Sequence, residues 1–247
     1  MNLIETNNEI KKVLKFDIRA QPDDLSCGPT CLHALYNFYG EDLDLGAVIK
    51  DVKQLEFGGT LAVFLGLHAL QRGYHAIIYT YNLQIFDPSW FNTDVQLTDA
   101  LKKQMDFKKD SGVSLASDAY IRFLENGGEI RYQEMSSSLI RKYLRRSIPI
   151  LTGLSSTYLY DSTREIPSNN QFDSIRGEPA GHFVVINGYN KEDRKFYVAD
   201  PLNPNPMAKT QYYKVGFGRL ISSILLGIVT NDANLLVIFP KEQKPIG

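Results

Sequence analysis

At residue 148 the texture of this 247-residue chain changes. Before it, apolar residues recur near a 3.6-residue period in several long runs, as Leu61, Phe64, Leu65, Leu67 and Leu70 do. After it, short stretches rich in β-formers take over, with a long polar segment among them. Helices first and mostly antiparallel strands later is an α+β layout. The pattern predicts helices at 27–39, 60–72, 94–109, 114–125, 137–146 and about 216–227. It predicts strands at 13–19, 74–81, 129–133, 148–154, 182–189, 195–199 and 234–239. Gly40 and Gly73 stand where two of these helices should stop. No internal repeat or low-complexity tract interrupts the chain, and residues 1–247 read as one domain.

Several functions are disfavoured by bulk properties. A formal net charge of −1 leaves no excess of cations to neutralise phosphates, so nucleic acid is not an expected partner. The basic run Arg141–Arg146 reads as the solvated face and C-terminal charge of a helix. The first residues lack the basic and apolar regions of a signal peptide. The longest apolar stretch, 220–229, is interrupted by Ser222, Ser223 and Gly227 and is too short to span a bilayer. Two cysteines four residues apart make a poor disulfide framework, so a reducing cytoplasm is the expected compartment.

The chemistry-bearing stretch is Gln21-Pro-Asp-Asp-Leu-Ser-Cys27-Gly-Pro-Thr-Cys31-Leu. Pro29 suits a first helical turn, so Cys27 falls at a helix N-terminus. The unpaired N–H groups and the dipole there favour an anion, and the thiolate is the nucleophilic form of cysteine. Far downstream, His182 opens the apolar run Gly181-His-Phe-Val-Val-Ile, and Asp200 closes Tyr197-Val-Ala-Asp-Pro201. Nucleophilic catalysis by a thiol needs a base and a group that orients it; His182 and Asp200 are the candidates. If strands 182–189 and 195–202 pair about a loop centred on Glu192, residue i faces 384 − i. Val184 then opposes Asp200, and His182 and Asp200 become diagonal neighbours on one face, roughly 7–8 Å apart at Cβ. A one-residue slip would put them on opposite faces. Gln21 supplies an amide that donates without titrating, suited to a developing oxyanion alongside the Cys27 backbone N–H.

Other candidates have plainer readings. Cys31 lies one turn deeper on the same helix face and reads as core. His33, His68 and His75 sit inside helix or strand patterns without partner spacing. Cys27, Cys31 and His33 form a weak ligand pattern lacking a fourth member, so no metal and no cofactor is expected. Gly58-Gly59-Thr60 before a helix reads as a cap rather than an anion site. The polar segment 155–181, with Pro167, Gly177 and Pro179, reads as one long structureless loop running into His182, a mobile flap beside the site or, alternatively, an ordinary surface loop.

Three pieces together, Gln21 to Leu32, His182 to Gly188 and Val198 to Pro201, resemble papain-like-fold cysteine peptidases similar to the double-glycine leader peptidases of bacteriocin exporters, here in stand-alone form. The resemblance implies a thiol-bearing helix packed on an antiparallel sheet. It implies Cys27 as nucleophile, His182 as base, Asp200 as orienting acid and Gln21 as oxyanion donor. Against that pattern the span from Cys27 to His182 is long, with 82–147 read as a helical insertion. The expected activity is hydrolysis of a peptide or isopeptide bond through an acyl-enzyme, with a peptide or small amide as substrate. A transpeptidase or acyltransferase on the same residues, or a non-catalytic peptide-binding module of the same fold, are the alternatives. Oligomeric state is not readable from the sequence.

Overall fold

One mixed sheet divides the molecule into two cores. The computed structural model describes residues 10–55, 59–92 and 94–243. In chain order the strands are β1 (Lys11–Val13), β2 (Tyr74–Thr80), β3 (Glu129–Arg131), β4 (Ile150–Ser155), β5 (Glu165–Ile166), β6 (Gln171–Phe172), β7 (Gly181–Asn190), β8 (Lys195–Ala199), β9 (Tyr212–Gly216) and β10 (Asn234–Pro240). Their spatial order is β3-β2-β10-β4-β7-β8-β9, with β1 also paired to β7; β5 and β6 form a separate hairpin. Among the described residues, β2–β3 is the one parallel pair. The fold is α+β, as the texture change at residue 148 predicts.

The helices are α1 (Cys27–Phe38), α2 (Leu45–Asp51), α3 (Ala62–Gln71), α4 (Leu97–Lys108), α5 (Ser111–Glu125), α6 (Ser137–Arg145), α7 (Ser156–Tyr160) and α8 (Phe217–Leu226). On one side of the sheet, Leu32 of α1, Leu65 of α3 and Phe123 of α5 share a core with Ile78, Val185 and Leu236. On the other, Ile140 and Tyr143 of α6 and Leu220 and Ile224 of α8 share one with Ile77, Val184 and Leu235. Successive β7 residues therefore go to opposite cores, as a period of two requires. Because both faces are covered, the run Phe183–Ile186 is apolar at every position. Each such side chain contributes about 1.5–3 kcal/mol of burial free energy.

Helix ends follow local chemistry. Gly40 (φ +90°) and Gly73 (φ +85°) take the left-handed conformation just past α1 and α3. Departures from the sequence reading are specific. The strand expected at 13–19 is β1, shifted to Lys11–Val13, after which the chain leaves the sheet. The helix expected from residue 94 starts at Leu97. Helix α2 is additional; it is short, and the Asp44 carboxylate caps it by accepting from Ala47 N at 2.9 Å. Strand β9 is also additional. The segment 155–181 is not structureless, because it carries α7 and the β5–β6 hairpin.

The β7–β8 pairing decides where His182 and Asp200 meet. Near the strand ends Val185 faces Ala199 and Ile186 faces Val198, the register expected from the sequence. Nearer the turn, Gly188 faces Tyr197 and Tyr189 faces Phe196, one residue out of step, so a bulge sits at Asn187. The bulge residue is tied to the N-terminal strand: Leu14 N donates to Asn187 O (2.8 Å), and Asn187 Nδ2 donates to Leu14 O (3.1 Å). A side chain at the next position, Gly188, would place its Cβ 2.6 Å from Lys12 O, so glycine lets β1 cross there.

Candidate active site

The N-terminus of α1 is pressed against β7 by two contacts that its sequence makes possible. A Cβ on Gly28 would sit 2.7 Å from Thr60 Cγ2 and 3.2 Å from Phe183 Cδ2, so the residue after Cys27 has to be glycine for this approach. One turn on, the fully buried Cys31 donates its thiol to Phe183 O at 3.3 Å. Burial pushes the Cys31 thiol well above the usual thiol range, with the Cys27 and Asp200 charges adding to it. Cys31 is a packing residue, as its position on α1 predicts. Cys27, by contrast, is half-buried and lines a cleft of about 220 Å³ together with His182. The site lies at the ends of β7 and β8, where the α1 N-terminus reaches the sheet.

His182 is 7% exposed. Its Nε2 donates to Asp200 Oδ1 at 2.8 Å, and it lines the cleft together with Cys27. Burial disfavours the imidazolium, but the Asp200 carboxylate, the hydrogen bond to it and the nearby Cys27 outweigh it and raise the pKa from 6.5 to about 10. Asp200 is completely buried. Burial would raise its pKa, yet His182, the Leu202 N–H (2.9 Å) and the Tyr160 hydroxyl (2.7 Å) together hold it below the usual carboxylate range. Tyr213 donates a second hydroxyl to the same Oδ2 at 2.8 Å. With burial and the neighbouring carboxylate acting on them, both phenols stay protonated and act as donors.

Neither tyrosine is singled out by the sequence. Tyr213 was accessible in principle: β9 pairs Tyr213 with Val198, so the alternation that places Asp200 also places Tyr213 beside it, once β9 is recognised. Tyr160 ends α7 inside the segment taken for a loop, and no local pattern marks it.

Gln21 arrives by a different route. After β1 the chain runs along the ends of β8 and β9, with Ile18 N on the Tyr212 hydroxyl (3.0 Å), Arg19 O accepting from Gln211 Nε2 (2.9 Å) and Gln21 N on Pro201 O (2.9 Å). This sets Gln21 beside the Asp200–Pro201 step. One hydrogen of its amide goes to Asp23 O at 2.8 Å, which fixes the side chain and leaves the second hydrogen.

The remaining candidates behave as structural groups. His33 Nε2 bonds Leu43 O (2.9 Å), His68 Nδ1 hydrogen-bonds the Tyr36 hydroxyl (2.7 Å), and His75 stacks on Phe239 at 5.1 Å. Cys31 and His33 thus take different partners. Gly58 lies outside the described residues. Thr60 does not cap α3; its hydroxyl donates to Lys53 O (2.7 Å) and the N-cap position is Leu61. Gly59 and Thr60 instead line the cleft beside Cys27. Across its mouth the β5–β6 hairpin reaches over, with Asn170 Nδ2 on Asp24 Oδ2 at 3.0 Å. No helix among the described residues is long and apolar enough to cross a membrane.

A crystal structure described as a C39-like peptidase from Bacillus anthracis superposes with a TM-score of 0.52 at 13% identity, over 94% of this chain and 98% of that one. A double-glycine motif protease from an AMS/PCAT transporter, in complex with the leader peptide, gives 0.44 at 15% identity, over 93% of this chain and 95% of that one. No curated protein matches the sequence. The model of the Peptidase_C39 like family matches residues 13–220. The chain belongs to that family and is a cysteine peptidase of papain-like fold.

Proposed function

We propose that Cys27, His182 and Asp200 carry the peptidase chemistry, with Gln21 as oxyanion donor. The observation that supports this is the imidazole of His182, hydrogen-bonded to a buried carboxylate and lining one cleft with Cys27. In this reading Cys27 Sγ attacks the carbonyl carbon of a peptide or isopeptide bond. The oxyanion is received by the Cys27 backbone N–H and the free hydrogen of Gln21 Nε2, donors of a kind worth about 3–4 kcal/mol each. The proton on His182 goes to the leaving amine, the C–N bond breaks, and an acyl-enzyme remains. His182 then takes a proton from water, which attacks the thioester and frees Cys27. Asp200 keeps Nε2 as the donor side of the ring, so that Nδ1 faces the sulfur.

Nothing in this machinery selects water over an amine as acceptor, so a transpeptidase or acyltransferase uses the same four residues. A purely binding role is disfavoured by the presence of all three reacting groups, with His182 bonded to Asp200 and lining one cleft with Cys27. The single-domain reading of 1–247 stands as part of the proposal, with 82–147 as an insertion and the 155–181 segment, now seen to hold the hairpin, as a flap. So does a reducing compartment such as the cytoplasm, which keeps Cys27 a free thiol. The test is turnover of a peptide library: Cys27→Ala and His182→Ala should abolish it. Unchanged turnover in Cys27→Ala would end the proposal.

A further inference from the structure

The cleft holds a carboxyl group for which the proposed chemistry has no use. Asp232, two residues before β10 begins, lines the cleft with Cys27 and His182. It is 6% exposed, and its Oδ1 has no hydrogen-bond partner. Two neighbouring strands make room for it. A Cβ at Gly153 of β4 would fall 2.8 Å from Asp232 Cγ, and one at Gly181 of β7 would fall 3.5 Å from Asp232 Oδ2. A buried acceptor left unpaired in a native protein calls for an explanation. The same residue lines the cleft where a substrate must lie.

Charge indicates what fills it. Burial pushes the Asp232 carboxyl well above the usual carboxylate range, the Cys27 charge adds to this, and His182 opposes it. Asp24 lines the same cleft. Glu165 of the hairpin is likewise raised, by burial and by Asp24. Among the described residues lining the cleft His182 is the one basic side chain, and Asp200 already neutralises it. A cleft lined by one sign of charge with low-dielectric walls concentrates the opposite sign. A cation entering it displaces the proton from Asp232 and leaves a desolvated ion pair without adding net charge. Asp232 and Cys27 line the same cleft, where the acyl portion of a substrate lies against the sulfur.

We infer that Asp232 is a specificity-determining residue, the floor of a subsite that receives the ammonium or guanidinium of one of the two residues on the acyl side of the scissile bond. The inference rests on Cys27 being the nucleophile. A site built around an unpaired buried group discriminates strongly against analogues that leave it unpaired.

Peptidyl chloromethyl ketones test this on the full chain. They carry lysine, norleucine or glutamate at the residue bearing the ketone or at the one before it. The readout is the rate of Cys27 alkylation, located by peptide mass mapping. Lysine and norleucine share a stem and differ in the charge. At one of the two positions the lysine ketone should react at least ten-fold faster than norleucine, and glutamate slowest. In Asp232→Asn the lysine-to-norleucine ratio should fall to about one. Equal rates for lysine and norleucine at both positions in the unaltered protein overturn the subsite and require no variant. A ratio that survives in Asp232→Asn overturns the assignment to this residue. If no ketone modifies Cys27, the nucleophile assignment fails and the subsite with it, an outcome distinct from labelling without preference.

Discussion

Replacing Asp200 with asparagine separates charge from hydrogen bonding at the centre of the site. The asparagine oxygen can still accept from His182 Nε2 and Leu202 N, and its amide can donate to the Tyr160 and Tyr213 hydroxyls, which accept as readily as they donate. The ion pair is what disappears. In the intact protein His182 is raised from 6.5 to about 10; such a shift corresponds to roughly 4–5 kcal/mol of preference for the charged ring. Breaking a buried pair from one side costs about 3–5 kcal/mol, so the two routes agree in size. The sign fixes a pH window. A raised folded pKa gives stability that is fully present below 6.5 and is lost as pH rises through about 10. The lowered pKa of Asp200 gives stability that is present above 3.8 and is lost as pH falls through the folded value. Urea denaturation in reducing buffer should therefore show Asp200→Asn less stable than the parent by roughly 3–5 kcal/mol at about pH 6, with the gap shrinking as pH approaches about 10. A gap of the same size at both pH values, or none at about pH 6, would refute the ion pair as the source of the stability.

Three further outcomes follow from distances in the same region. Iodoacetamide should alkylate Cys27 quickly in the native state and Cys31, which is fully buried, only on the timescale of unfolding; equal rates by mass mapping would contradict the packing of α1. Gly28→Ala places a methyl 2.7 Å from Thr60 Cγ2 and should lower stability by about 1–3 kcal/mol while lowering turnover more than the stability loss explains, because α1 must back away from Phe183. Tyr213→Phe and Tyr160→Phe should each cost about 1.5–3 kcal/mol, as hydrogen bonds to a charged group do. Their double mutant should depart from additivity, since both hydroxyls meet the same Oδ2.

The parts of the fold legible in the sequence are those set by local pattern. A glycine and a proline after Cys27, an apolar period below them and Gly40 beyond define α1 without tertiary information, and short runs of β-formers after residue 148 define β4, β7, β8 and β10. What escapes is set by contacts between distant segments. Helix α2 is too short for its period to register, and its one local signal is Asp44. Strand β9 is five residues long and runs directly into α8, so its alternation is hidden beside a longer helical run. The hairpin inside 155–181 rests on two-residue strands, and its approach to the cleft is fixed by Asn170 on Asp24, a contact across 146 positions of sequence. Asp232 reads locally as a turn residue between Asn231 and Ala233; its burial depends on glycines in two other strands.

The meeting of His182 and Asp200 shows how a correct expectation can rest on an incomplete cause. Arithmetic from a loop centred on Glu192 gives a register sum of 384, yet the pairs nearest the turn, Asn190 with Lys195 and Tyr189 with Phe196, sum to 385. Carried unbroken to the strand ends, that register would set Val185 opposite Asp200 and send the imidazole and the carboxylate to opposite faces of the sheet. The bulge at Asn187 absorbs one residue and restores 384 at Ile186 and Val185. The same Asn187 binds Leu14, from which the chain continues along β8 and β9 to Gln21. One irregularity thus aligns His182 with Asp200 and anchors the arm that carries Gln21 to Pro201, which makes Asn187 a position on which both placements depend.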